Sequence, residues 1–200
     1  MGEVAGFVHE KFVFGRRTSV LAGHLAALIP AGGRVLDVGC GDGTIDCLIA
    51  RLRPDVAIEG IDVLVRASAR IPVKAFDGRV IPYPEASFDV VMFVDVLHHA
   101  GDPLILLREA LRVGRAILVK DHLQEGLLAA PTLRLMDWVG NAHHGVALPY
   151  NYWSKAEWST AFRELGITAT KMTVKLGLYP APASWVFERE LHFIAKLERG

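Results

Sequence analysis

Apolar residues recur along this chain with helical spacing in some stretches and as short unbroken runs in others, and the alternation between the two predicts the order of elements. Across residues 7–29 the positions Val20, Leu21, Leu25 and Leu28 fall on one helical face, and Pro30 with Ala31, Gly32 and Gly33 supplies the breakers that end it. Residues 34–38, Arg-Val-Leu-Asp-Val, are too apolar for a strand with one wet face and fit the two-sided burial of a parallel sheet. A helix over residues 44–52 follows, with Ile45, Leu48, Ile49 and Leu52 on one side and Pro54 beyond its end. Further strands are expected at residues 56–62, 73–76, 89–94 and 116–119. Before the last of these, Asp102 offers an N-cap and Pro103 a first helical position, with Leu104, Leu107 and Leu111 on one face and Gly114 as the stop. A short helix at 158–165 precedes two strands, 168–178 and 187–197, joined by a loop carrying Pro180 and Pro182.

Strands alternating with helices over some 120 residues predict an α/β fold wound by right-handed crossovers. Neither a repeat nor a linker interrupts the chain, so one domain over residues 1–200 is expected. The texture changes in residues 122–153, where Gly140, Gly145, Pro149 and several aromatic rings surround His143 and His144; this stretch is read as an inserted lid. With 200 residues, 52% apolar and 22% charged, a single core covers the length. The formal charge is zero, which offers no electrostatic footprint for phosphate backbones and argues against nucleic acid as a partner. Two cysteines and no recognisable leader point to a reduced, cytoplasmic protein, and no apolar run approaches the roughly 20 residues of a membrane span. The oligomeric state is not legible.

The candidate chemistry begins at Asp37-Val38-Gly39-Cys40-Gly41-Asp42-Gly43, a glycine-rich turn at the carboxyl edge of a strand, where parallel sheets bind ligands. Glycine permits a sharp turn and close approach of a ligand to the backbone. Asp62, about twenty residues on at the end of the next strand, suits both hydroxyls of a ribose. A dinucleotide loop would read G-x-G-x-x-G, whereas here the third glycine arrives one position early, at Gly43, and position 44 is Thr.

With these motifs the chain resembles the class I S-adenosylmethionine-dependent methyltransferases, particularly the small-molecule, ubiquinone/menaquinone-type group. Residues 35–43 resemble the family's first motif and 60–63 its ribose-binding second. Phe76-Asp77-Gly78 with Ile81-Pro82-Tyr83-Pro84 resembles the adenine segment, and residues 88–99 with Asp102, Pro103 and 111–113 resemble the fourth strand and its helix. Together these cover residues 30–121. The resemblance implies a Rossmann-like, doubly wound, mostly parallel seven-stranded sheet with an antiparallel C-terminal hairpin, and S-adenosylmethionine as cofactor. It further implies that Gly39, Cys40, Gly41 and Gly43 form the loop under the methionine part and that Asp37 orders this loop. Asp62 then holds the ribose, Val63 packs on the adenine, Asp77 with Gly78 meets its amino group, and Asp95 faces the methionine moiety or the substrate. One departure is the turn after the fourth helix, reduced here to Gly114-Arg115.

Methyl transfer is an in-line displacement, so a protein must align the nucleophile and, where it carries a proton, remove it. His122, oriented by Asp121, is the first candidate base; the competing reading has it capping a turn. His99 is a further catalytic candidate, with His98 beside it, against a purely structural role for the pair. His143 and His144 lack the companions of a metal site, so no metal is expected. Asp137, Trp138, Asn141, Tyr150, Tyr152 and Trp153 line either a small-molecule pocket or a packed cap. Arg16 and Arg17 are read as solvated surface, Cys40 and Cys47 as structural thiols, and His192 as a satisfied sheet residue. The expected function is methylation of a small, amphipathic or apolar acceptor. The rivals are an NAD(P)-dependent oxidoreductase and a non-catalytic module keeping the cofactor fold.

Overall fold

The computed structural model describes residues 15–141 and 149–200. Seven strands form one sheet in the order β3-β2-β1-β4-β5-β7-β6. These are β1 (Arg34–Val38), β2 (Ala57–Asp62), β3 (Val73–Ala75), β4 (Phe88–Val94), β5 (Gly114–His122), β6 (Ile167–Thr173) and β7 (His192–Arg199). The first five run parallel, and β7 inserts antiparallel between β5 and β6. The C-terminal hairpin expected from the resemblance is therefore present. The helices are α1 (Gly15–Ala26), α2 (Thr44–Leu52), α3 (Pro103–Val113), α4 (Ala129–Asn141), α5 (Lys155–Glu164) and α6 (Ser184–Phe187), with a 3-10 turn at Leu97–His99.

The unbroken apolar runs become strands because both sheet faces are covered. Val35, Val90 and Leu118 point to one face, where Leu21 and Leu25 of α1 and Ile49 of α2 close over them. Leu36, Val91 and Ile117 point to the other, against Leu106 and Leu107 of α3 and Trp158 and Phe162 of α5. Each such side chain contributes about 1.5–3 kcal/mol by leaving water. Asp102 caps α3 as expected, accepting from the Leu104 amide at 2.9 Å. Ser154 and Glu157 form a capping box that starts α5 at Lys155, three residues earlier than the apolar pattern indicates.

Two strand expectations need correction. β5 extends through Lys120, Asp121 and His122, because these polar residues pair with β7 as far as His122↔His192. At the C-terminal hairpin, the stretch around Phe187 forms the short α6 and β7 begins only at His192. The Glu188 carboxylate accepts from the amides of Gly177, Leu178 and Tyr179, a capture that holds residues 174–179 as a loop. Among the described residues no helix is long and apolar enough to cross a membrane.

Candidate functional site

The loop from β1 into α2 lies at the carboxyl edge of the sheet, beside the switch point where β1 is flanked by β2 and β4. Gly39 has φ +78°, and a Cβ there would stand 2.6 Å from Cγ2 of Val96, so the turn requires glycine twice over. At Gly41 a Cβ would meet nothing nearer than Arg66 at 3.9 Å, leaving the loop's outer side open to a ligand. Gly43 is also left-handed (φ +72°) and rests against Ile71, while Cys40 turns inward on Gly60. Asp62 anchors the loop by accepting from the Gly41 amide at 2.8 Å and from the Leu64 amide at 2.9 Å. Each carboxylate oxygen keeps a lone pair for a further donor.

Beyond Asp62 the apolar Val63, Leu64 and Val65 are exposed, with Val63 at 66%. Such a ledge next to a carboxylate suits a flat ring. Gly78 approaches it so closely that a Cβ would lie 3.2 Å from Cγ1 of Val63. Asp77 bends its own loop by accepting from the Arg79 and Val80 amides at 2.8 Å, which holds its carboxyl below the usual range.

A second group of polar side chains gathers at the ends of β4 and β5. Asp95 adopts φ +58°, unusual for a residue with a Cβ, and its carboxylate is shared by Arg17 of α1 and Lys120 of β5. Burial opposes ionisation there, yet Lys120 and Arg17 hold its carboxyl well below the usual range. Asp121 is fully buried and accepts from the Leu97 amide at 3.0 Å and the His122 amide at 2.8 Å. Its Oδ1 lies 2.6 Å from Nδ1 of His98, whose Nε2 is 3.7 Å from Oδ1 of Asp137. Burial disfavours a charged His98, but Asp121 and Asp137 outweigh it and push its pKa up to about 10. Asp137, from α4, also receives the Tyr152 hydroxyl at 2.9 Å and sits 3.4 Å from Nε2 of His99.

His122 and His99 differ in their access to a ligand. His122 packs against the rings of His98, Tyr152 and His192, and burial followed by the charge of Lys120 pushes its pKa down to about 4. The His99 side chain keeps 17% exposure, and burial and the neighbouring His98 hold it below its ordinary value. His99 is therefore neutral near pH 7, and its Nδ1 has no hydrogen-bond partner among the described residues.

A family model for the methyltransferase domain matches residues 13–171. The chain belongs to this methyltransferase-domain family. It is 37% identical over 113 residues to the 27-O-demethylrifamycin SV methyltransferase of Amycolatopsis mediterranei, covering 49% of this chain and 41% of that protein. It is 29% identical over 134 residues to the demethylmenaquinone methyltransferase of Roseiflexus castenholzii, covering 62% and 55%. The chain thus spans about half the length of these relatives. Its fold matches the S-adenosylmethionine-dependent methyltransferase of Mesorhizobium loti with a TM-score of 0.66 at 18% identity, over 88% of this chain and 96% of that one.

This methyltransferase-domain chain fits the family's cofactor on its own geometry: an open glycine cradle at Gly41, a carboxylate at Asp62 with lone pairs free, and an uncovered apolar ledge at Val63. His143 and His144, from which no metal is expected, and the side chain of Asn141 lie outside the described residues. The fold instead brings ligand atoms of His98, His99 and Asp137, and of His98, Asp121 and His122, within 4.8 Å of one another. A protonated His98 has no lone pair for an ion, so its charged form and a metal exclude each other.

Arg17 corrects the reading as solvated surface, since it reaches Asp95 across 78 positions of sequence. His192 is satisfied as expected, with Nε2 2.9 Å from the Phe187 carbonyl oxygen. Within the expected lid, Tyr152 and Asp137 are buried whereas Trp138 is 57% exposed. Lys120 and Asp46 were not legible as site residues: one reads as the end of a strand and the other as a helix surface, and no sequence signal marks either as buried.

Proposed function

We propose that this protein transfers a methyl group from S-adenosylmethionine to a small, apolar or amphipathic acceptor. The observation that carries the reading is the Gly39–Gly43 turn tied to Asp62 at the carboxyl edge of the sheet, in a chain of the methyltransferase-domain family. The cofactor supplies an electrophilic methyl group on a sulfonium. Gly39, Cys40, Gly41 and Gly43 form the bed of its methionine part, Asp62 accepts from the ribose hydroxyls, and Val63 and Gly78 hold the adenine with Asp77 facing its amino group. Asp37 orders the loop from beneath. Asp95, fixed by Arg17 and Lys120, sets the wall between the methionine part and the acceptor.

The acceptor is placed beside the His98–His99 turn, where Asp137 and Tyr152 from the expected lid meet it. Of the catalytic candidates, we place His99 first as the proton acceptor: it is neutral, partly exposed and close to Asp137. Asp121 positions the His98 turn, and His122 packs behind it. The relatives named for demethylrifamycin SV and demethylmenaquinone support a small, quinone-like acceptor. Zero net charge supports a small molecule over nucleic acid, and the two free cysteines accord with the cytoplasmic setting read from the sequence.

Calorimetric titration with S-adenosylmethionine, S-adenosylhomocysteine and NADH tests this reading. We expect micromolar binding of the two adenosyl-sulfur ligands and no heat from NADH. Binding of NADH alone would favour the oxidoreductase and overturn the proposal; binding of none would leave a non-catalytic module.

A further inference from the structure

Two buried carboxyl groups flank the glycine loop in sequence, and the loop-ordering role of Asp37 does not account for the second, Asp46. Asp37 sits on β1, the strand that leads into the loop, and Asp46 on the first turn of α2, the helix that leaves it. Asp46 has no solvent exposure, and neither of its oxygens has a hydrogen-bond partner; Asp37 is 3% exposed, with Oδ1 likewise unpartnered. Arg66, in the β2–β3 connection, lies on the outer side of the loop, its guanidinium carbon 3.9 Å from where a Cβ on Gly41 would stand, and among the described residues no cation forms an ion pair with Asp37 or Asp46. On α1, Arg17 reaches Asp95, Arg16 the Gly177 carbonyl and His24 the Leu176 carbonyl. On the β2–β3 connection, Arg70 pairs with Asp42 at 3.7 Å. What faces the pair is acidic: Asp62 from β2 lies near Asp37, Asp42 from the loop lies near Asp46, and the Cys40 thiol is under the influence of Asp37, Asp46 and Asp62.

Two buried carboxylates side by side without a cation cannot both be ionised at ordinary pH, because desolvation and mutual repulsion act together. One proton between them relieves both. Burial followed by the Asp46 charge raises Asp37 well above its ordinary value, and burial pushes Asp46 up to about 6.

We propose that Asp46 is a positioning residue for cofactor binding, which shares a proton with Asp37 in the empty protein and lets the pair release it to solvent when the cationic cofactor occupies the glycine loop. This rests on the cofactor reading above. S-adenosylmethionine carries a sulfonium and an ammonium beside one carboxylate, a net positive charge placed above a net-negative pocket floor. Its arrival favours the ionised pair by the same Coulomb term that its absence withholds. The affinity therefore depends on pH although no histidine takes part.

The test needs no acceptor. S-adenosylmethionine is titrated calorimetrically into the wild-type protein between pH 5.0 and 6.5, in pairs of buffers with different ionisation heats. We expect proton release on binding, and an affinity several-fold tighter at pH 6.5 than at pH 5.0. In Asp46→Asn, the side-chain amide donates to an Asp37 that is already ionised; proton release and pH dependence are both lost, and affinity at pH 5.0 equals or exceeds wild type. A merely structural role would weaken binding at every pH instead. Binding to the wild type without proton release and with the same affinity throughout overturns the proposal. A second readout uses the ligand-free protein: the difference in unfolding midpoint between Asp46→Asn and wild type should move in favour of the variant from pH 4.5 to pH 7.5. A constant difference overturns the proposal even if the cofactor reading fails, whereas no binding at any pH with a shifting difference refutes the cofactor reading and leaves the shared proton standing.

Discussion

Asp62 and His99 are the two residues on which the proposed chemistry turns, and they make separable demands. Asp62 holds the loop through the Gly41 amide and offers its remaining lone pairs outward. Asp62→Ala removes a charge-assisted pair of hydrogen bonds worth about 1.5–3 kcal/mol, so S-adenosylmethionine binding should weaken about 10- to 100-fold by calorimetry. Unchanged affinity would remove the ribose assignment. His99 acts after binding. His99→Gln should leave cofactor affinity at the wild-type value and lower kcat about a hundredfold on any acceptor that must lose a proton. Because burial and His98 hold the His99 pKa below its ordinary value, the wild-type rate should be level at pH 7–8 and fall on the acid side of about 6.5. The same loss in His122→Gln, with His99→Gln active, would exchange their roles.

Elements, rather than single residues, decide how the polar cluster at the ends of β4 and β5 is backed. Helix α5 carries Trp158, which lies edge-on to Phe193 and donates from Nε1 to the His122 carbonyl at 3.1 Å, so this helix backs the polar cluster. Its start is fixed by Ser154, which accepts from the Glu157 amide at 3.3 Å while Glu157 accepts from the Ser154 amide at 2.7 Å. Ser154→Ala should cost about 1 kcal/mol and lower Tm by about 2–4 °C in thermal unfolding. An unshifted Tm would mean that packing of Trp158 and Phe162 alone sets the helix. The strand expectations succeeded where apolar runs are long, as in β4, and at β5 the apolar run of 116–119 was too short at both ends, since the strand also takes in Lys120, Asp121 and His122. They are interior because the hairpin of β6 and β7 and the 3-10 turn supply partners from 23 to 72 positions away.

At the scale of the whole molecule, buried ionisable groups pull stability in opposite directions with pH. His122 and His192 have lowered values, so the unfolded chain binds their protons first, and their contribution is lost as pH falls below about 6.5. Asp95, Asp121 and Asp137 are lowered too, and their contribution is lost on further acidification below about 4. His98 is raised to about 10, so its contribution is full below its ordinary value and is lost as pH rises toward that point. The unfolding midpoint should therefore peak around neutrality and decline on both sides between pH 4.5 and pH 10 in buffers of equal ionic strength. A midpoint rising steadily to pH 10 would contradict a charged His98.

The sequence by itself determined the alternation of strands and helices, the crossover sheet and the loop with its acid at the next strand end. All of these rest on local rules: hydrophobic period, glycine at a turn, an N-cap before a proline. Gly39, Gly41 and Asp62 lie within 24 residues, and the sheet register that joins them follows directly from two adjacent parallel strands. Only the tertiary structure decided which polar residues are buried and with what. The joining of Arg17 to Asp95, of Asp137 to His98 and His99, and of Asp46 to Asp37 depends on helix rotation, on the packing of α1 and α2 against the sheet and on α4 meeting the 3-10 turn. A carboxyl on a helix reads the same in sequence whether it faces water or another carboxyl, and its charge state is fixed by that difference in surroundings.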